Sequence, residues 1–209
     1  MGIYKLRLCK NGEWVVVTVD DYIPCFYNGG PMFSRSNGNE LWVLLLEKAY
    51  AKLHGNYYSL WFGFTHHALI DLTGCPTETH NFKTYSNWQD ELFNNLKEFD
   101  EIGYMMTCET SGFDDVTESG GPKKTTGLVS GHAYSLISVQ EHKGIWLMNI
   151  RNPWGKFEWD GAWSDNSEEW TEEMIDLFKP VFDANDGGFW MSFEDFFNKF
   201  ISVNVCMVK

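Results

Sequence analysis

The chain has 209 residues, of which 44% are apolar and 17% aromatic, and its formal net charge is −13. This length fits one or two domains, and so many aromatic residues exclude a disordered chain. The negative charge argues against nucleic acid and anionic membrane surfaces as partners, because both attract lysine and arginine. No apolar run is long enough to predict a membrane span, and the first residues carry no secretory signal.

Five cysteines are spread along the chain, and none forms a Cys-x-x-Cys pair. They are Cys9, Cys25, Cys75, Cys108 and Cys206. An odd number at wide spacing favours reduced thiols over a disulfide framework, so we expect a cytoplasmic protein.

The first part of the chain predicts a β-hairpin followed by helices. Residues 3–9 alternate in polarity and residues 14–19 are rich in β-branched side chains, which predicts two strands joined by a turn. Asn37 and Glu40 have the spacing of a capping box, and Thr65 is expected to cap a second helix. The apolar stripe of the first helix is Leu41, Leu44, Leu45, Ala49 and Leu53.

The rest of the chain predicts an antiparallel sheet with a few helices. Ser86 and Gln89 have the spacing of another capping box, and a further helix is expected near 193–200. The predicted strands are 104–108, 132–139, 145–150 and 201–208. Because strands and helices do not alternate regularly, the pattern indicates an α+β fold.

Most of the acidic residues lie in the later part of the chain. Segment 90–118 has nine acids and one lysine, and segment 158–195 has twelve acids and one lysine. The first eighty residues are close to charge balance. Together with the turn-rich segment 73–76, this shift predicts two lobes, 1–74 and 75–209.

Two polar motifs flank the predicted hairpin of the second lobe. His132 lies in GHAYS and Asn152 lies in RNPWG. Paired residue numbers in an antiparallel hairpin have a constant sum, so a turn near His142 places His132 opposite Asn152. Opposed Cβ atoms are about 4.5–5.5 Å apart, close enough for a hydrogen bond between amide and imidazole.

Such a pair can activate a thiol. The amide oxygen accepts one ring N–H of the histidine, and the other nitrogen is then directed outward to take a proton from a cysteine. Trp154, two residues after the asparagine, would cover this bond and exclude water from it. The alternative is a core hairpin whose histidine is merely hydrogen-bonded.

These motifs closely resemble those of the calpain family, which are calcium-dependent cysteine endopeptidases. Segments of several kinds match in order over nearly the whole chain. They are GEW at 12–14, LLEKAYAKLHG at 45–55, DLTG at 71–74, GHAYS at 131–135, IRNPWG at 150–155, EWDGAWSD at 158–165 and FWMSF at 189–193. The resemblance implies a papain-like fold, with a partial helical first lobe, a β-rich second lobe and the active site between them.

The resemblance also implies roles for particular residues. His132 would be the general base, Asn152 would orient it, and an extended polypeptide would be the substrate. The implied second-lobe calcium ligands are Glu158, Asp165, the backbone carbonyl of Ala184, and Asp186. The family has a further acid where this chain has Gly188, and a merely solvated acidic surface is the alternative.

The segment that bears the family's nucleophilic cysteine has no counterpart here. In the family that cysteine precedes a tryptophan at the head of a helix, after a glutamine that lines the oxyanion hole. We therefore expect a chain that begins after this segment and is inactive alone, its cysteine coming from an upstream segment or a companion chain. The alternatives are a non-catalytic calpain-like module for calcium-responsive or partner binding, and a truncated product that folds poorly.

Overall fold

The structure is a computed structural model, and the residues it describes are 2–36, 38–112, 126–182 and 186–208. The chain divides into two compact units, Met1–Cys75 and Pro76–Lys209. This division falls beside the boundary expected from the sequence. Within the described ranges, no helix is both long and apolar enough to cross a bilayer.

The first unit is a β-hairpin packed on two helices. Strands β1 (Ile3–Lys10) and β2 (Glu13–Asp20) pair antiparallel around a two-residue Asn-Gly turn. Helix α1 (Trp42–Leu53) packs on β2, and α2 (Thr65–Thr73) packs on β1. The small buried core of the first unit consists of Leu8, Val17, Val19, Leu45 and Ala49.

The second unit is built on a six-stranded antiparallel sheet. Its strands are β3 (Thr77–Asn81), β4 (Met105–Thr110), β5 (Ala133–His142), β6 (Ile145–Arg151), β7 (Gly188–Ser192) and β8 (Phe200–Cys206). Their order across the sheet is β3-β8-β4-β5-β6-β7. Its helices are α3 (Gln89–Ile102), α4 (Glu172–Phe178) and α5 (Phe193–Lys199). The arrangement confirms the predicted α+β class.

An aromatic core is packed around helix α3, whose apolar stripe was evident in the sequence. Leu92, Phe93 and Leu96 are completely buried, and α3 packs on β5. The ring of Phe93 stacks on Trp146, with centroids 4.3 Å apart and planes 5° from parallel. Burying one such ring stabilises the fold by roughly 2–3 kcal/mol, so this stripe anchors the helix on the sheet.

The predicted helix caps are wrong. Helix α1 begins at Trp42, and the carboxylate of Glu40 accepts the indole N–H of that tryptophan instead of a helix amide. Asn37 lies outside the described residues. Helix α2 includes Thr65 as its first residue, and α3 begins three residues after Ser86. Short capping patterns are frequent in loops, and packing of the apolar stripe decides where a helix starts.

Candidate active site

The hairpin formed by β5 and β6 carries both candidate catalytic side chains at its open end. Its turn is at 143–144, where both residues have positive φ, as a type I′ turn requires. Ser135 pairs with Arg151 at the other end of the ladder. His132 therefore immediately precedes β5, and Asn152 immediately follows β6.

The predicted direct pairing of His132 with Asn152 is wrong. The pair Ser135–Arg151, continued outward, would place residue 132 opposite Trp154. The turn was expected near residue 142 but lies at 143–144, which moves the pairing register. A bulge in β5 between Leu136 and Ser138 reverses part of this change in register. The two side chains nevertheless meet, because both project from the ends of neighbouring strands.

His132 and Asn152 are joined by a side-chain hydrogen bond. Nε2 of the histidine lies 3.0 Å from Oδ1 of the asparagine. The amide nitrogen of Asn152 donates to the carbonyl oxygens of Lys156, at 2.6 Å, and Phe157, at 3.1 Å. These two bonds fix the orientation of the amide, so its oxygen faces the ring. Nε2 must then carry the proton, and in the neutral ring Nδ1 is the basic nitrogen.

Asn152 is held through its backbone as well as its side chain. It is 0% exposed. Its N–H donates to the carbonyl oxygen of Gly187 at 2.8 Å, and its own carbonyl accepts the N–H of Gly155 at 3.0 Å. Oδ1 also accepts the backbone N–H of Trp154 at 3.1 Å. The amide that orients the histidine is therefore fixed before any substrate arrives.

The backbone of His132 is anchored to the neighbouring strand. Its N–H donates to Oγ1 of Thr110 at 3.1 Å, and its carbonyl accepts the N–H of Thr110 at 3.0 Å. The same hydroxyl donates to the carbonyl of Val129 at 2.7 Å. Local sequence patterns give no sign of this role for Thr110, because it depends on the pairing of β4 with β5.

Aromatic rings surround the imidazole. The ring of Trp154 lies against His132, with centroids 4.3 Å apart at 46°. Tyr134 presents its ring at 81° to the imidazole, with centroids 4.9 Å apart. Trp154 is therefore placed where it could cover the His–Asn bond, and its covering role stays a prediction.

None of the five cysteines, all of which lie in described ranges, forms a disulfide or begins a described helix. Cys9, Cys108 and Cys206 are buried in strands. Burial raises the pKa of the Cys108 thiol well above its usual range, and a thiol that stays protonated is a poor nucleophile. Cys25 and Cys75 lie in loops of the first unit.

The implied calcium ligands are brought together only in part. Oε1 of Glu158 accepts the backbone N–H of Gly187 at 3.0 Å. Oδ1 of Asp186 accepts the backbone N–H of Gly188 at 2.6 Å. Both carboxylates thus bind the same loop. Across the described ranges, no three side chains of His, Cys, Asp or Glu lie close enough together to hold a metal ion. Asp165 therefore belongs to no such group. Ala184 lies outside those ranges.

Comparison with known proteins places the chain in a family. The family model described as "Calpain family cysteine protease" matches residues 1–207. Calpain-type cysteine protease ADL1 of Oryza sativa subsp. japonica is 44% identical over 99% of this chain and 10% of its own length. Calpain-A of Drosophila melanogaster is 41% identical over 98% of this chain and 25% of its own length. Calpain-8 of Rattus norvegicus is 38% identical over 98% of this chain and 29% of its own length.

The chain spans between a tenth and under a third of the length of these relatives, from 10% to 29%. The match nevertheless covers nearly every residue here, and it includes the hairpin that brings the imidazole and the amide together. The chain belongs to the calpain family of cysteine proteases.

Proposed function

We propose that this chain is the part of a calpain-type cysteine endopeptidase core that bears the general base and the residue orienting it. The single observation that carries this proposal is the hydrogen bond of 3.0 Å between His132 Nε2 and Asn152 Oδ1. It fixes the tautomer in which Nδ1 can take a proton. The substrate would be an extended polypeptide.

Each of the three side chains has one part in peptide hydrolysis. Nδ1 of His132 takes the proton of a cysteine thiol, which gives a thiolate beside an imidazolium. The imidazolium later gives this proton to the leaving amine. Asn152 Oδ1 accepts the Nε2 proton throughout, so the ring keeps its orientation, and Trp154 limits the access of water to that bond.

We propose that the nucleophilic cysteine comes from outside these 209 residues, from an upstream segment or a companion chain, and that this chain is inactive alone. The positions of its own cysteines support this. Three are buried in strands, and burial keeps the thiol of Cys108 protonated. The base and the nucleophile act as a unit, so the base alone cannot hydrolyse peptides by this route.

Expression of this chain alone tests the proposal. With calcium at millimolar concentration, we expect neither peptide cleavage nor labelling by a thiol-directed epoxide. Adding a calpain segment that contains the catalytic cysteine, fused or as a separate chain, should produce both, and His132→Ala should abolish them. Cleavage by the chain alone that is lost in His132→Ala would show that the nucleophile lies within it.

We further propose that Glu158 and Asp186 contribute to a calcium site in the second unit. Both are oxygen ligands of the kind calcium prefers, and they bind the same loop. Bound calcium would supply positive charge to this loop. Gly188 stands where the family has another acid, so we expect weak binding.

Calorimetric titration of the full chain with calcium tests this site. Asp186→Asn removes a charged ligand and should weaken calcium binding about tenfold. The matched control is Asp160→Asn, because Asp160 is an exposed acid of the neighbouring loop and should not affect binding. Equal calcium affinity of the two variants, or no calcium binding by the unmodified chain at millimolar concentration, would refute the site.

A non-catalytic calpain-like module for calcium-responsive or partner binding is the second candidate. It is favoured by Gly188 and by the placement of the cysteines. The labelling experiment separates the two functions, since such a module would stay inactive when the cysteine-bearing segment is supplied.

We also propose a cytoplasmic location. It is supported by the five cysteines, none of which is paired in a disulfide, because reduced thiols are typical of the cytosol. Fractionation of cells that express a tagged form would test it, and recovery in a secretory compartment would refute it.

A further inference from the structure

We propose that Glu158 and Gly187 are positioning residues, which hold Asn152 and through it the imidazole of His132. The inference rests on the proposed function only for the role of His132 as a base. It goes beyond that function by linking the candidate catalytic pair to Asp186 and Gly187, the two residues that directly precede β7.

A continuous set of hydrogen bonds makes this link. The backbone N–H of Asn152 donates to the carbonyl oxygen of Gly187 at 2.8 Å. The N–H of Gly187 in turn donates to Oε1 of Glu158 at 3.0 Å. Both polar groups of one glycine are therefore engaged, one by the residue that orients His132 and the other by a carboxylate.

The backbone at position 187 lies so close to the backbone of residues 152–155 that only a glycine fits there. Its φ is +79°, in the left-handed region. A Cβ atom there would lie 2.4 Å from the carbonyl oxygen of Asn152 and 2.9 Å from Cα of Gly155. Both are backbone atoms, so they cannot avoid the clash by a change of side-chain rotamer. Any side chain at this position would push Gly187 away from Asn152.

The carboxylate of Glu158 also stabilises the loop that fixes the amide. Phe157 has a φ of +63°, which is unfavourable for a bulky residue and persists only where surrounding contacts hold it. In this conformation its carbonyl accepts the amide N–H of Asn152 at 3.1 Å. The next residue is Glu158, whose charge-assisted bond to the N–H of Gly187 joins this loop to the same glycine that binds the backbone of Asn152.

This role of Glu158 is separable from ligation of a metal. Glu158→Gln keeps a side-chain oxygen that can accept the N–H of Gly187, but it removes the negative charge that calcium prefers. Glu158→Ala removes both. A positioning residue should thus be rescued by glutamine, whereas a residue that acts only as a metal ligand should not.

Nuclear magnetic resonance of the full chain, labelled with 15N and without calcium, tests the proposal. The readouts are the Nε2–H signal of His132 and the side-chain amide signals of Asn152. In Glu158→Ala we expect these protons to exchange with water about tenfold faster, because the bonds that hold the amide are weakened. Gly187→Ala should behave likewise. Glu158→Gln should stay within about twofold of the unmodified chain.

Asp160→Ala is the matched control, since it removes the same charge from an exposed site two residues away. Exchange in Glu158→Ala equal to that in this control would overturn the proposal. So would equally fast exchange in Glu158→Gln and Glu158→Ala. Circular dichroism checks that each variant folds, and if Glu158→Ala does not fold, fast exchange in a folded Glu158→Gln still overturns the proposal.

The readout needs no nucleophile, so it is independent of the proposed function. If the chain never cleaves peptides with a supplied cysteine but shows the expected difference between the alanine and glutamine variants, the endopeptidase function fails and the positioning link stands.

Discussion

Asn152→Ala should lower the free energy of unfolding of the second unit by about 3 kcal/mol. The substitution leaves the carbonyl oxygens of Lys156 and Phe157 without the amide donor that they now bind, inside a site where Asn152 is 0% exposed. It also releases the imidazole of His132 from its one fixed tautomer. Urea unfolding followed by tryptophan fluorescence would measure the stability loss.

The same change should reduce catalysis in a core completed with the cysteine-bearing segment. A misplaced base costs about 100-fold, so we expect kcat/KM to fall by about that factor. Asn149→Ala is the matched control for stability, because Asn149 lies on the same hairpin and is only partly buried. It should cost less than about 1 kcal/mol. Equal losses in the two variants would contradict the special role of Asn152.

Phe93→Ala should destabilise the second unit by about 4 kcal/mol. Phe93 is 0% exposed, stacks on Trp146 at 4.3 Å and meets the edge of Phe193 at 5.2 Å. Truncation removes these contacts and leaves a cavity between α3 and the sheet. The shift of the urea midpoint would measure the loss.

Phe182→Ala supplies the comparison for Phe93. Phe182 is 47% exposed, and among the described residues its ring meets only that of Trp170, at a centroid distance of 5.9 Å. Its truncation should lower the free energy of unfolding by no more than about 1 kcal/mol, because the side chain buries much less apolar surface than Phe93 does. Equal midpoints for the two variants would mean that α3 does not anchor the unit.

Local patterns predicted the elements that have strong periodicity. The hairpin of β1 and β2 and the buried stripe of α3 were evident from alternation and helical spacing. Strands β3 and β7 and helix α4 were not predicted. The sequence TETHN of β3 has no apolar residue, and the segment becomes a strand by pairing with β8. Helix α4 lies in an acidic segment, and Thr171 caps it by accepting the N–H of Met174.

The sequence predicted that His132 and Asn152 lie close together, which the structure shows, but it predicted the wrong register between them. His132 and Asn152 stand out as residue types that together activate a thiol. Their predicted pairing was wrong because the position of the turn and a bulge in β5 set the register, and neither was evident from the sequence. The side chains still meet at 3.0 Å, since side-chain reach tolerates a shift of two residues.

The sequence by itself determined the family resemblance, the α+β class, and His132 and Asn152 as the candidate catalytic pair. Only the tertiary structure decided what holds that pair in place. Gly187 and Glu158 are 29 residues apart, and their hydrogen bond forms only when β7 pairs with β6. A backbone amide carries no side-chain signature, so no local pattern could reveal that this glycine binds both the asparagine and the carboxylate.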